Sequence, residues 1–500
     1  MRFTLPLFAV GVLSSALAHA AIDPQYRYVT SLPSSKDTLV LPLSSADVKA
    51  GTLPLLQDPS LRQQLQAAAF HGKAGAITTL YSAAGYERVV LLGLGDQSNL
   101  TASQWANYGG DVAAQLDKLQ SKQVTLDSRH VSQAAQLVHG IELRSYRFDQ
   151  LKSKADTPRP LQLDVVVADQ AASQAQHQQL DAVAQGVYLA RDLTNLPAAD
   201  LTPQTFADAA KALEKLGVKV TVLDEKAIDR LGMGALAAVG RGSDRPPRLV
   251  IAHWQGNKQA PTALLGKGIT FDTGGYNLKT DGESIVRMTS DMAGAAAVLG
   301  TIKALALKKA DVNVVGVMAM AENMISSNAY LPGDVLKTAQ GLTVQITSTD
   351  AEGRLVLADA MWYVKKHYQP RLMVDIATLT GSKVTALGSY YAGLFTEDEA
   401  LSQSLLQASK TSGEPLWRLP VGDEFANEMK SDVADLRNTG KTAGASTAAW
   451  FLKQFAGDTR WAHLDIAGNA LATSDKGAQP TGATGFGVRL LTEFVLQPPA

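Results

Sequence analysis

The 500-residue chain contains no cysteine. That absence removes disulfides, thiolate-ligated zinc, iron–sulfur clusters and thiol nucleophiles together. Histidine is scarce, at eight residues, so any metal must sit on oxygen or nitrogen, and carboxylates become the first candidates. Excess charge of either sign is missing too: 46 Lys and Arg face 47 Asp and Glu, a net charge of −1. Such balance argues against a chain that coats nucleic acid or an acidic membrane. No Gly-x-Ser-x-Gly and no His-Glu-x-x-His occurs, which sets aside the common serine-hydrolase elbow and the zincin helix. Repeats and low-complexity tracts are absent as well.

What is present is a large apolar fraction, 46%, against 19% charged residues. A chain of this length and composition folds into more than one core-bearing unit. Met1-Arg2, the short apolar run Leu5 to Leu17 and Ala18-His19-Ala20 together have the form of a secretory signal. The expectation is export to the periplasm or beyond, with cleavage after Ala20 and a mature start at Ala21. The run is shorter than the ~20 residues a bilayer span needs, and no other stretch reads as a membrane span.

From 21 to about 180, short β-like runs alternate with helical ones. Thr38–Leu43, Arg88–Gly93 and Leu161–Val167 read as strands; Thr101 to Leu119 has helical period with Thr101 or Ser103 as cap. Ala171 to Gln179 reads as a solvated linker or the start of a connecting helix, which Pro197 ends. The domain boundary is placed near 180. Beyond it, Val218–Leu223, Arg248–His253, Val312–Met318, Leu342–Ile346 and Leu372–Ile376 read as strands of a sheet covered on both faces.

Three segments place charge beside glycine or alanine at element ends. In Leu264 to Gly275, Lys267 and Asp272 punctuate an apolar strand that ends in two glycines, the usual place for ligands in open α/β sheets. A strand-end ion pair would explain the two charges equally well. Asp291 stands before the alanine run 293–297, where it could be a plain N-cap. In Thr349-Asp350-Ala351-Glu352-Gly353-Arg354, an extended stretch would turn Asp350, Glu352 and Arg354 the same way. Taken alone it could be a solvated loop. Together Asp272, Asp291, Asp350 and Glu352 outnumber Lys267, Lys279 and Arg354, and a divalent pair is the economical way to neutralise the surplus.

Residues 322–361, with Glu322-Asn323-Met324, Asn328-Ala329-Tyr330, Pro332-Gly333-Asp334 and Thr349 to Leu355, resemble the signature region of the leucyl aminopeptidase (cytosol aminopeptidase) family. Gly266–Lys279, Asp375–Gly381 and Trp461–Gly468 are similar in the same order. The resemblance covers about 185–496 and is weak upstream.

It implies an α/β fold: a small N-terminal α/β domain (21–180) and a larger catalytic α/β domain (181–500) with a mixed, mainly parallel central sheet covered by helices. It implies a metallo-exopeptidase acting on peptides with apolar N-terminal residues such as Leu or Met. Two divalent ions, Mn or Zn with Mg or Co as alternatives, are expected on Lys267, Asp272, Asp291 and Glu352 and on Asp272, Asp350 and Glu352. Lys279 is expected to stabilise the tetrahedral intermediate and Arg354 to hold a bicarbonate base. Met288, Thr378, Gly381, Ala467 and Ala470 are expected to receive the first substrate side chain. A homohexamer is implied, and nucleic-acid binding is not. The departures are small: Tyr276-Asn277 after the glycine pair, Ser348 before Thr349, and one extra residue between Lys279 and Asp291.

Overall fold

Alternating and near-continuous apolar runs become strands in two separate sheets. The computed structural model describes residues 22–154 and 159–499; the leader expected at 1–20 lies outside them. The first sheet contains β1 (Ile22–Val29), β2 (Thr38–Ser44), β3 (Ile77–Ala83), β4 (Tyr86–Gly95), β5 (Gln123–Asp127) and β6 (Arg159–Val166). Its order is β1-β6-β5-β2-β4-β3, parallel except for the β3–β4 hairpin. Period-two alternation divides the buried residues between its faces: Val40, Val90 and Leu92 on one, Leu39, Leu41, Val89 and Leu91 on the other. The Ala102–Lys118 helix covers one face and starts with a capping box between Thr101 and Gln104.

A 26-residue helix, Gln170–Asn195, capped by Asp169, joins the two units. The polar stretch 171–179 is its first turns. Arg191, buried on this helix, donates to the Leu143 carbonyl at 2.6 Å and the Thr484 carbonyl at 3.1 Å, tying both units to it. The helix crosses Ala293–Lys308 where Gly186 meets Gly300; a Cβ on either would run into the other's carbonyl.

The second unit is built on β7 (Lys219–Leu223), β8 (Arg248–Gln255), β9 (Thr262–Asp272), β10 (Asn313–Asn323), β11 (Val335–Lys337), β12 (Thr343–Gln345), β13 (Leu372–Ala377), β14 (Ala392–Phe395), β15 (Leu416–Arg418), β16 (Leu436–Arg437) and β17 (Arg460–Asp465). Eight of these form the central sheet in the order β15-β14-β17-β13-β9-β10-β8-β7, and β11-β12-β16 form a small one. The run 342–346 therefore pairs outside the central sheet. Strands β17, β13, β9 and β10 are mutually parallel, while β14, β8 and β7 join antiparallel. The Ala293–Lys308 helix packs on one face with Leu264, Val314 and Val374. Glu352–Tyr368 and Gly444–Ala456 pack on the other with Ala263, Leu265 and Val315.

The β9–β10 ladder slips by one residue. Ala321 pairs with Ile269, but Glu322 pairs with Phe271 and Asn323 with Asp272. Thr270 is the extra residue of a bulge. Five positions apart, Lys267 and Asp272 would face opposite sides of a regular strand; the bulge turns both toward one end of the sheet.

Asp359 shows how the layers are locked. It is fully buried on the Glu352–Tyr368 helix, and its carboxylate accepts from the backbone N–H of Ala235 (3.0 Å), Leu236 (2.9 Å) and Ala339 (2.8 Å). Burial pushes its pKa up to about 7, against the pull of those three donors. The folded state thus holds this proton more tightly than the unfolded chain, so the group's contribution to stability declines as pH rises from about 4 to about 7. Asp359→Ala should cost about 3 kcal/mol in urea unfolding at neutral pH and should lose that pH slope relative to the wild type. An unchanged midpoint would contradict the role given to Asp359.

Candidate active site

The carboxyl ends of four parallel strands converge on one cavity. Asp272 closes β9, Asn323 closes β10, Thr378 follows β13 and Asp465 closes β17. The cavity, about 820 Å³, is lined by Lys267, Asp272, Lys279, Asp291, Asp350, Glu352 and Arg354. Met288, Thr378, Gly381, Ala467 and Ala470 line it as well. All twelve residues singled out in the sequence therefore surround one space.

Lys267 Nζ lies 2.8 Å from both Asp291 Oδ2 and Glu352 Oε1 and donates to the Thr378 carbonyl at 2.9 Å. Lys279 Nζ lies 2.8 Å from Asp272 Oδ2 and contacts Asp350 Oδ1. Asp272 Oδ1 receives the Gly274 N–H and Asn323 Nδ2, each at 2.8 Å. Thr378 Oγ1 donates to Asp291 Oδ1 at 2.6 Å. Carboxylate oxygens of Asp272, Asp350 and Glu352 lie within 4.8 Å of one another. Glu352 Oε2 is buried and has no hydrogen-bond partner. Four carboxylates with one orphaned buried oxygen, touched by only two ammonium groups, suit hard or borderline divalent cations.

The electrostatics carry the same imbalance. Burial, with Asp272 and Glu352 close by, raises Asp291 to about 8 although Lys267 opposes the shift. Asp350 rises to about 6, first by burial and then by the same two neighbours. Burial would lower Lys267, but Asp291, Glu352 and Asp272 outweigh it and hold the ammonium well above its ordinary value. Lys279 is held up in the same way by Asp272 and Glu352. Arg354 is drawn down to about 10 by burial; its Nη1 donates to the Asn438 carbonyl at 2.6 Å, while its buried Nε has no partner.

Two readings of the sequence change here. The stretch from Asp350 to Arg354 is not extended: Asp350 belongs to a turn, Ala351 takes the cap position and Glu352 starts the Glu352–Tyr368 helix. The carboxylates meet because the chain turns into the helix, and Arg354, which also lines the cavity, donates to the Asn438 carbonyl. Gly353 is required at that turn, since a Cβ there would sit 2.6 Å from Lys267 Cδ and Cε. The capping alternative for Asp291 also falls away. Met292 occupies the N-cap of Ala293–Lys308, and both Asp291 oxygens face Lys267 and Thr378.

Asn323 escaped the sequence reading as a site residue. It is fully buried, and Nδ2 donates to Asp272 Oδ1 and to the Thr349 carbonyl at 2.9 Å, joining the two loops that carry the carboxylates. Tyr330 Oη donates to the same Thr349 carbonyl at 2.8 Å. An asparagine at a strand end carries no local signal of such a role.

Residues 188–492 match the cytosol aminopeptidase family, catalytic domain, and 47–155 match the cytosol aminopeptidase family, N-terminal domain. A probable cytosol aminopeptidase 1 of Shewanella oneidensis is 51% identical over 98% of this chain and 99% of its own length. A probable cytosol aminopeptidase of a Chelativorans species is 46% identical over 86% of this chain and 89% of its own. Among solved structures, a mutant of tomato leucine aminopeptidase superposes with a TM-score of 0.84 at 31% identity, covering 97% of this chain and 98% of that one. The bottromycin maturation enzyme BotP in complex with Mn gives 0.82 at 33% identity, covering 92% and 99%.

These names overturn one expectation. Relatives that align over nearly the whole chain are called cytosol aminopeptidases, which points to the cytoplasm and not to export, a periplasmic or secreted location, or cleavage after Ala20. A basic start, an apolar run and small residues form a compositional pattern, and composition alone does not fix an address.

The neutral amide of Asn323 sets which Asp272 oxygen faces the cavity without adding charge. Asn323→Ala should weaken Mn²⁺ binding by about 10–100-fold, measured by isothermal titration calorimetry. Wild-type affinity in the variant would show that Asp272 is oriented without it.

Proposed function

Since the chain belongs to the cytosol aminopeptidase family and is a metal-dependent aminopeptidase, we propose that it releases apolar N-terminal residues, Leu and Met foremost, from peptides. The observation that carries this reading is the buried convergence of four carboxylates on two ammonium groups, with Glu352 Oε2 left unpaired. Lys267, Asp272, Asp291 and Glu352 would hold one ion, and Asp272, Asp350 and Glu352 the other, with Asp272 and Glu352 common to both sets. Manganese or zinc suits this oxygen-rich set with a single amine. When bound, the ions supply a Lewis acid for the scissile carbonyl and an acidified water, and a bicarbonate supplies the base for that water's proton.

The chain's own groups do the rest. Arg354 would hold the bicarbonate: its guanidinium is buried beside the acidic cluster, and its unpartnered Nε offers a donor. Lys279 lines the cavity from the loop after β9, and its ammonium would meet the negative charge that develops on the attacked carbonyl oxygen. The free amine of a peptide is drawn toward the carboxylates. Its first side chain enters between Met288, Thr378, Gly381, Ala467 and Ala470, where small walls leave room for a branched or thioether chain. We place the division between the N-terminal and catalytic domains near residue 180, and assign a homohexamer to the assembly; sedimentation at working concentrations reports that state.

Hydrolysis of Leu-p-nitroanilide should vanish after thorough chelation and return on addition of Mn²⁺ or Zn²⁺. Activity that survives chelation would sink the two-ion account. Glu352→Ala should abolish turnover and weaken both ions. Lys279→Ala should lower kcat about 10²–10³-fold with little change in Mn²⁺ affinity; a change confined to KM would remove Lys279 from the chemical step.

A further inference from the structure

Lys383 is buried to zero exposure on the short Gly381–Leu387 helix and does not line the cavity. Its Nζ donates to the Gly388 carbonyl at 3.0 Å, the Ala467 carbonyl at 2.7 Å and the side-chain oxygen of Asn469. Three N–H groups meet three oxygens, so the ammonium is saturated. None of the three is a carboxylate. The nearest acid in electrostatic terms, Asp465, is committed to Leu379 N (3.2 Å), Thr380 Oγ1 (2.7 Å) and Ala467 N (3.0 Å). Burial lowers Lys383 to about 8, with Asp465 opposing.

A buried ammonium matched only to neutral oxygens gives little net stability, and an apolar chain of similar length would cost less to bury. Its geometry suggests another use. Gly388 ends the helix that presents Gly381 and Val384 to the cavity, whereas Ala467 and Asn469 belong to the turn after β17 that presents Ala467 and Ala470 from the other side. Asn469 extends the link by donating to the Ser389 carbonyl at 3.0 Å.

We propose that Lys383 is a positioning residue for substrate selectivity: it clasps the two walls of the side-chain pocket and fixes the gap between them. The proposal rests on the pocket assignment made above. With the clasp closed, the gap grips a leucine side chain along its length. Released, the walls part, and the contacts that distinguish Leu from Ala weaken.

The test uses full-length enzyme loaded with Mn²⁺. In Lys383→Met, the ratio of kcat/KM for Leu-p-nitroanilide over Ala-p-nitroanilide should fall about tenfold. The fall should come through KM for the leucine substrate, with kcat on the alanine substrate and the calorimetric Mn²⁺ affinity unchanged. Asn469→Ala, which removes one of the three acceptors and is the milder change should Lys383→Met not fold, should shift the ratio in the same direction by a smaller factor. A wild-type ratio in the folded variants overturns the clasp while leaving the pocket assignment standing. A joint loss of Mn²⁺ affinity overturns it too, because the lysine would then act on the whole site. No preference for Leu over Ala in the wild type would overturn the pocket assignment and the clasp with it.

Discussion

Everything around the cavity answers one constraint: carboxylates brought closer together than their charges allow. Coulomb repulsion between two such groups in a partly dry site is worth several kcal/mol. The upward shifts of Asp291 and Asp350 come first from burial, and the repulsion from Asp272 and Glu352 adds to them. The lysines relieve only half of it by count. A cluster of this kind persists only if the surrounding structure over-determines it, and the two layers that flank the central sheet do so. Gly353 lets Lys267 approach the start of the Glu352–Tyr368 helix, and Asn323 and Thr349 tie the loops that carry Asp272 and Asp350. Stability is drawn from the apolar cores, and strain is kept at the strand ends.

The position of the site follows from the same economy. Parallel strands carry their side chains and loops to a common edge, and groups placed there are held by rigid elements on both faces. Asp272 and Asn323 are the last residues of adjacent strands, so their relative placement is inherited from the ladder. The lysine clasp beneath the pocket is built on the same plan: it joins a segment after β13 to a segment after β17, two strands already in register.

Much of this was legible in the chain. Apolar runs of five to seven residues announced the strands because burial on both faces leaves no room for polar alternation, and Thr101, one of two candidate caps, starts the Ala102–Lys118 helix. The carboxylates were legible because charge beside glycine and alanine lacks a packing reason. What escaped depends on partners far away in sequence. Each of Asn323, Asp359 and Lys383 acts through at least one partner far off in sequence, 26, 124 and 84 positions away among them, and no local pattern encodes such pairings. The misreading of Asp350 to Arg354 as extended had a different origin: period-two reasoning holds only inside a strand, and the chain changes period at Glu352.

The bulge at Thr270 has a wider consequence. On its upstream side β9 and β10 mesh largely as core, Ala263 to Ile269 against Val315 to Ala321, with Lys267 the one charged residue among them; on its downstream side Asp272 and Asn323 are the polar ends. The extra residue acts as a phase joint between those regimes. The side that Asp272 takes is set at Thr270 and not by the hydrophobic positions upstream, because the pleat is reset after Lys267 and before Asp272. One strand thus serves core and reactive edge together, and the phase joint brings Lys267 and Asp272 to the same cavity.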